Sequence, residues 1–516
     1  RLGRAGPDQR LPEITALIDP VQFRAITEDD AGIVVIHGGA GTGKTTIALH
    51  RIAWLYFQDK RRFSPKRMLF ITPGPGLRRY VSRVLPALDL PGVPIRTFEE
   101  WAHQSVKRLI PSLKRRKLTD DTPSGARRLK RRPVLLKLLE AAVQAEAREL
   151  DAHMEEAGGK LVLDAWVRRR NLAPIQRLAA LSRWVSGPGR REIGVRFSAV
   201  QRLVDRAEKE IGDPFETWAN LLTDREKLLT SLRNHGEAFK EWEVDQLVDT
   251  VALQSEDPED LQGLGDHATG IDGKSITAGD IRSLLDVDDL AILLRICQLK
   301  FGRLSGPSGQ VIRCEHLVVD EAQDHSPLAI KVLCDTVEPG GPVTLAGDTA
   351  QRLYLDAGFG DWKGLIRDIN LKARILPPLA ISYRSTRQVM DLARHVLGPI
   401  LGSDQFGDAR DGAPVELLAF EETGQAVAFL ADALKSLCSR ERKASVALVA
   451  RTPKVADLYY STLKRAEVPN LRRIYSQEFD FSAGVDVTDV FQIKGLEYDY
   501  VVVLEPTATH YPDNTE

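Results

Sequence analysis

Ile33-Val34-Val35-Ile36-His37-Gly38-Gly39-Ala40-Gly41-Thr42-Gly43-Lys44-Thr45-Thr46 decides the fold class of this chain. Four β-branched residues in a row make a short buried-strand pattern, and a helical stretch from Ile47 to Phe57 follows the glycines. Strand, Gly-rich turn ending in Gly43-Lys44-Thr45, and helix in that order form a P-loop. Gly38, Gly41 and Gly43 let the backbone curl until its N–H groups face one anion, and the helix N-terminus adds partial positive charge there. Lys44 is expected to reach the β- and γ-phosphates and the Thr45 hydroxyl to ligate Mg²⁺. The expected ligand is a nucleoside triphosphate.

Around that motif the chain reads as α/β. Strand patterns occur at Ile33–Ile36, Met68–Ile71, Leu317–Val319, Val343–Leu345, Val446–Val449 and Tyr500–Leu504, separated by helical stretches. With 516 residues, more than one core is needed. The expected organisation is residues 1–100 and 311–375 as the two parts of one nucleotide-binding domain, 101–310 as a mainly helical insertion, and 376–516 as a second, C-terminally incomplete domain. Arg1 in place of a methionine, and an end directly after a strand pattern, suggest residues missing at both ends.

Composition is that of an ordinary globular protein, 43% hydrophobic and 28% charged with a net charge of −1, so a nucleic-acid surface has to come from local segregation of charge. The four cysteines stand apart with no CxxC pair, which fits a reducing, cytoplasmic setting and gives no metal motif. No apolar run is long enough to span a membrane, and a monomer is expected. Charge does segregate in the middle of the chain. Residues 101–140 hold twelve Lys or Arg against three acids, whereas 241–266 hold nine acids and no Lys or Arg. The basic run reads first as a solvated helix face and second as a surface for phosphates. The acidic run reads as a mobile loop.

Leu317-Val318-Val319-Asp320-Glu321-Ala322-Gln323-Asp324 supplies the second half of the chemistry. An apolar strand ending in Asp-Glu delivers two carboxylates to the carboxyl edge of a parallel sheet, where ligands bind. Asp320 is expected to hold Mg²⁺ and Glu321 to polarise the attacking water. The 276 residues from Lys44 to Asp320 exceed one crossover and require a whole inserted domain.

In these motifs the chain resembles the UvrD/Rep/PcrA group of superfamily 1 helicases. Gln22 matches the family's adenine-reading glutamine, Thr97-Phe98 its threonine–aromatic motif at single-stranded DNA, and Gly347-Asp348-Thr349-Ala350-Gln351 its Gly-Asp-x-x-Gln motif, whose glutamine senses the γ-phosphate. Ser382-Tyr383-Arg384-Ser385 matches the motif whose arginine reaches across from the second motor domain, and Lys494-Gly495-Leu496-Glu497-Tyr498-Asp499 matches a later motif. The resemblance implies two RecA-like motor domains and an ATP- and Mg²⁺-dependent DNA motor of 3′–5′ polarity. It also implies roles for Thr46 and Glu497 at the nucleotide and for Thr72 and Tyr354 at nucleic acid.

The departures fall on the side that should grip the strand. Asp356 stands where the family has a stacking aromatic, and the nearby aromatics Phe359 and Trp362 are out of register with that position. Asp489 and Phe491 replace a Thr and a His that face DNA, and Thr72-Pro73-Gly74-Pro75-Gly76 replaces Thr-Asn-Lys-Ala-Ala. In this the chain resembles the HelD branch, helicase-like ATPases that act on RNA polymerase. Two partners therefore stay open, single-stranded or partly duplex DNA and RNA polymerase.

Overall fold

A computed structural model of the chain describes residues 19–39, 41–255, 268–269, 275–276, 284–306, 309–351, 358–379, 382–398 and 409–511. In chain order, helix α1 (Pro20–Thr27), strand β1 (Gly32–His37), α2 (Lys44–Gln58), β2 (Met68–Thr72), α3 (Pro75–Ala87) and β3 (Ile95–Thr97) come first. A helix-rich stretch follows: α4 (Phe98–Leu109), β4 (Lys117–Thr119), α5 (Ser124–Lys130), α6 (Val134–Val167), α7 (Pro174–Ser186), α8 (Gly189–Ile193), α9 (Phe197–Ile211), α10 (Pro214–Leu222), α11 (Arg225–Asn234), α12 (Glu241–Ser255), β5 (Leu284–Asp286) and α13 (Asp289–Phe301). The α/β pattern then resumes with β6 (His316–Val319), α14 (Pro327–Cys334), β7 (Pro342–Gly347), α15 (Trp362–Asp368) and β8 (Ala373–Ile375). Last come β9 (Ser382–Thr386), α16 (Arg387–Leu397), β10 (Ala409–Arg410), α17 (Thr423–Arg440), β11 (Ser445–Ala450), α18 (Pro453–Arg465), β12 (Leu471–Arg473), β13 (Gly484–Asp489), α19 (Val490–Ile493) and β14 (Tyr500–Val503). All six strands expected from apolar runs form, and α2 covers the expected helix.

The chain divides into two compact units. One groups Arg1–Glu28, Ile36–Thr97 and Pro377–Glu516, and the other Asp29–Val35 and Phe98–Leu376. In the first unit β2 and β3 pair in parallel, Phe70 opposite Ile95 and Thr72 opposite Thr97. Its four-stranded sheet runs β12-β13-β11-β14, all parallel, and β11 and β13 are almost wholly buried, as strands covered on both faces must be. Helices α17 and α18 close its core, with Val427, Leu434, Tyr459 and Leu463 packed on Val446, Leu448, Val485 and Val487.

In the second unit β6 pairs in parallel with β7 (Leu317 opposite Val343), β1 with β8 (Ile33 opposite Ala373), and β4 with β5 (Lys117 opposite Leu284). Its helices include a subdomain with its own core. There Trp166, Leu178, Leu181, Val200 and Val204 are completely buried where α6, α7 and α9 meet, and α6 breaks at Gly159 (φ 71°, ψ −172°) to turn onto them.

Ion pairs join parts of the helical stretch that are far apart in the chain. Lys130 is fully buried, and its ammonium meets Asp286 Oδ2 at 2.9 Å and Asp289 Oδ2 at 2.7 Å. Trp218 Nε1 donates to the other Asp289 oxygen at 3.0 Å. Arg128 pairs with the buried Glu243 and Arg131 with Asp288, each at 2.9 Å, and Arg132 with Glu237 at 3.4 Å. For Arg128, Lys130, Arg131 and Arg132, within the basic run 101–140, both readings are thereby corrected, since these cations are paired with carboxylates of the same unit. Carboxylates of α12, β5, α13 and the loops that precede α12 and α13 come to meet them. The loop reading of the acidic run is corrected too: Glu241–Ser255 is helix α12, and residues 256–266 lie outside the described residues.

Candidate active site

The first unit carries the phosphate loop. β1 ends at His37, whose carbonyl accepts from Leu379 N at 2.8 Å. A Cβ at Gly38 would stand 2.7 Å from Leu379 O, so only glycine fits. Gly41 (φ +72°) and Gly43 (φ +83°) occupy the left-handed region that favours glycine. Gly43 is also the N-cap of α2 and leaves the first-turn amides without a side-chain acceptor, the arrangement that suits an incoming anion. Lys44 is buried, and its Nζ donates to the carbonyls of Gly38 and Gly39 at 2.9 Å each. Thr42 Oγ1 donates to Gly39 O at 2.9 Å, which stiffens the loop. Thr45 and Thr46 follow on the first turn of α2, and Ala40 lies outside the described residues.

Gln22 is brought to this loop by a helix cap. Asp19 Oδ1 accepts from the amides of Val21 and Gln22 at 2.6 and 2.9 Å, and Gln22 Oε1 accepts back from Asp19 N at 3.3 Å, a capping box. The Gln22 amide then donates to Thr42 O at 3.2 Å. The other end of α1 is held by the fully buried Arg51, whose guanidinium donates to Ile26 O at 3.2 Å and Glu28 O at 2.7 Å.

The second unit carries the carboxylates. β6 is completely buried and leads directly into Asp320, itself fully buried, with one oxygen accepting from Glu321 N at 3.0 Å. Glu321 sits in left-handed backbone (φ 50°, ψ 44°), which costs a non-glycine residue about 1–3 kcal/mol and is typical of functional positions. Gln323 Nε2 donates to Glu321 Oε2 at 2.6 Å and to Gln351 O at 3.3 Å, while its Oε1 accepts from Asp348 N at 3.0 Å. The side-chain amide of Gln351 donates to Asp348 Oδ2 at 2.7 Å. Glu321 and Gln351 are thus in one hydrogen-bonded cluster. Gln323 and Asp348, which organise it, were legible only as letters within motifs.

The other expected site residues lie as follows. Arg384 falls within β9, with its side chain outside the described residues, as is all of Tyr354. Glu497 is exposed in the segment before β14. Thr72 is fully buried, its hydroxyl donating to Gly74 O at 3.3 Å and Arg96 O at 3.4 Å, and Thr97 is buried too. Phe98 is buried with its ring 5.7 Å from that of His325 and 6.0 Å from that of Trp101. None of these three expected nucleic-acid residues presents an open face.

The departures from the family pattern have structural uses. Phe359 and Trp362 are buried in an edge-to-face pair 5.1 Å apart, so neither substitutes for a stacking aromatic. Asp489 is buried and caps α19 by accepting from Phe491 N at 3.2 Å, and it also bonds Gln492, so its charge is turned inward and not toward a phosphate strand. Gln492 Oε1 accepts from Gln477 N at 3.1 Å, and Gln477 Oε1 accepts from Gly76 N at 3.3 Å. A Cβ at Gly74 would stand 2.1 Å from Gln477 Oε1. The Pro-Gly-Pro-Gly run is therefore where the Gln477 segment seats on α3.

A second basic segment escaped the sequence reading. Residues 160–206 hold eleven Lys or Arg against three acids. Lys160, Arg168, Arg183, Arg190, Arg191, Arg196 and Arg202 are exposed there on the small helical subdomain, and none has an ion-pair partner among the described residues. Only pairing separates this run from residues 127–132, and pairing is a tertiary property.

A family model described as the UvrD/REP helicase N-terminal domain matches residues 18–355. Curated relatives include proteins named ATP-dependent DNA helicase UvrD2 from Mycobacterium tuberculosis (strain H37Rv) and Mycobacterium bovis. Each is 27% identical over 202 residues, a match spanning 37% of this chain and only 28% of the relative's length. Among the described residues no helix is long and apolar enough to cross a membrane.

Proposed function

Since the chain belongs to the UvrD/REP helicase family, we propose that it is an ATP-hydrolysing motor acting on nucleic acid. The observation that carries this reading is that both chemical halves are preformed: a Lys44 seated in a glycine cradle, and a Glu321 held by Gln323 in strained backbone. Gln22 and the loop glycines bind the nucleotide together with Lys44, Thr45, Thr46 and Glu497. Glu321 accepts a proton from the attacking water, and Gln351 reads the terminal phosphate. Arg384 supplies positive charge as the transferring group separates, an effect worth about 10³–10⁵ in rate.

Among the described residues no cluster of three or more His, Cys, Asp or Glu side chains forms a metal cage. Mg²⁺ does not need one, because it binds through one or two protein oxygens, waters and the nucleotide's phosphates. The Thr45 hydroxyl and the buried Asp320 carboxylate are donors of that kind. The ion, when bound, neutralises phosphate charge.

DNA is the substrate of this reading, with movement 3′ to 5′ as in the family, in a cytoplasmic monomer. The unpaired arginines of α8 and α9 supply an electrostatic face for the phosphate backbone. A second reading, a HelD-like ATPase that remodels RNA polymerase, is favoured by the burial of Thr72, Thr97 and Phe98. One experiment separates them: ATP hydrolysis alone, with single-stranded DNA, and with RNA polymerase. Strong stimulation by DNA with strand displacement supports the motor. Polymerase binding with DNA-independent hydrolysis overturns it in favour of the second reading.

A further inference from the structure

We propose that Gln323 is a positioning residue for hydrolysis, setting the Glu321 carboxylate and tying it to the segment that carries Gln351. Gln323 is fully buried, and its amide makes three hydrogen bonds: Nε2 donates to Glu321 Oε2 (2.6 Å) and Gln351 O (3.3 Å), and Oε1 accepts from Asp348 N (3.0 Å). A carboxylate has no donor, an alkyl chain has neither function, and asparagine is a methylene short, so only glutamine meets all three partners. The backbone is built around it, since a Cβ on Gly347 would stand 2.2 Å from Gln323 Oε1.

The segment it reaches is itself rigid. Asp348 accepts from Ala350 N at 2.9 Å and from the Gln351 amide at 2.7 Å. A displacement of Gln351 therefore pulls on Gln323, and Gln323 holds the Oε2 oxygen of Glu321 in place. Glu321 has no ordinary backbone to fall back on, because its φ is +50°. The coupling rests on the reading of Glu321 as the water-activating group.

The test is a double-mutant cycle in the full chain, using single-turnover hydrolysis of γ-labelled ATP together with binding of a fluorescent ATP analogue. Gln323→Leu should lower the hydrolysis rate by about 30-fold or more in the wild-type background and by less than about twofold beside Glu321→Gln, with nucleotide affinity kept within about threefold in both. Gln323→Glu, which keeps size and the acceptor oxygen but has no N–H, should lose as much as Gln323→Leu. Equal losses in both backgrounds, full activity in Gln323→Glu, or affinity falling in step with rate would each overturn the proposal. Wild-type turnover by Glu321→Gln alone would instead overturn the Glu321 reading beneath it.

Discussion

The amide of Gln22 donates to the carbonyl of Thr42 at 3.2 Å, joining the first turn of α1 to the phosphate loop across 20 residues of chain. One glutamine is both the last member of a capping box and a neighbour of the loop. Gln22→Ala removes both roles. ATP should bind about tenfold more weakly, with less discrimination against GTP, and loss of the return bond to Asp19 N should cost less than the roughly 1 kcal/mol of a whole N-cap, because Asp19 still accepts from the amides of residues 21 and 22. Titration with ATP and GTP analogues, alongside thermal melting, checks this.

Lys44→Ala and Glu321→Gln should differ in kind. Removing the buried ammonium weakens both nucleotide binding and turnover. Removing the carboxylate should leave binding within a few-fold and lower turnover by about 10²–10⁴-fold, the usual scale for a lost general base. Steady-state ATPase assays with parallel binding measurements decide. A Glu321→Gln variant that turned over normally would remove Glu321 from the mechanism.

The two basic segments should respond oppositely. Arg190→Gln, Arg191→Gln, Arg196→Gln and Arg202→Gln together should weaken DNA binding with melting unchanged. The slope of log affinity against log salt should fall by about one for each phosphate left without its arginine. Arg128→Gln and Arg131→Gln, which break pairs with the buried carboxylate of Glu243 and the largely covered one of Asp288, should lower the melting temperature and leave the salt slope alone. Fluorescence anisotropy over a salt series separates the two outcomes.

The buried cluster around Lys130 makes stability depend on pH. Burial raises Asp289 from 3.8 to about 6, against the attraction of Lys130, because one ammonium cannot neutralise two carboxylates. In that interval the folded state binds more protons than the unfolded one, so this contribution is present at low pH and is lost as pH rises through about 6. Between pH 5 and pH 7 the wild type should lose a few degrees of melting temperature relative to Asp289→Asn. Parallel slopes for the two proteins would contradict this.

Much of the molecule was open to a reader of the sequence. Every apolar run taken as a strand is a strand; runs such as Leu317-Val318-Val319 are buried on both faces of a parallel sheet, whereas Tyr500–Val503 is a largely exposed edge strand. The motifs proposed to carry nucleotide chemistry were equally plain, since glycines, a lysine and an Asp-Glu pair after a strand depend on local backbone geometry. The role of Gln323 was not, because its partners Asp348 and Gln351 lie 25 and 28 residues away in the chain.

Charge was the least legible property. Residues 127–132 and 160–206 look alike as composition, yet the first are neutralised by Glu237, Glu243, Asp286, Asp288 and Asp289, and the second leave arginines exposed. Asp489 looked like a charge set against phosphate and is a buried helix cap. The sequence by itself determined the α/β class, the glycine loop between β1 and α2 and the Asp-Glu pair that follows β6, because these depend on the periodicity and backbone preferences of neighbouring residues. Only the tertiary structure decided which charges meet solvent and which amide holds the Glu321 carboxylate, because pairing and burial depend on residues brought together from distant parts of the chain.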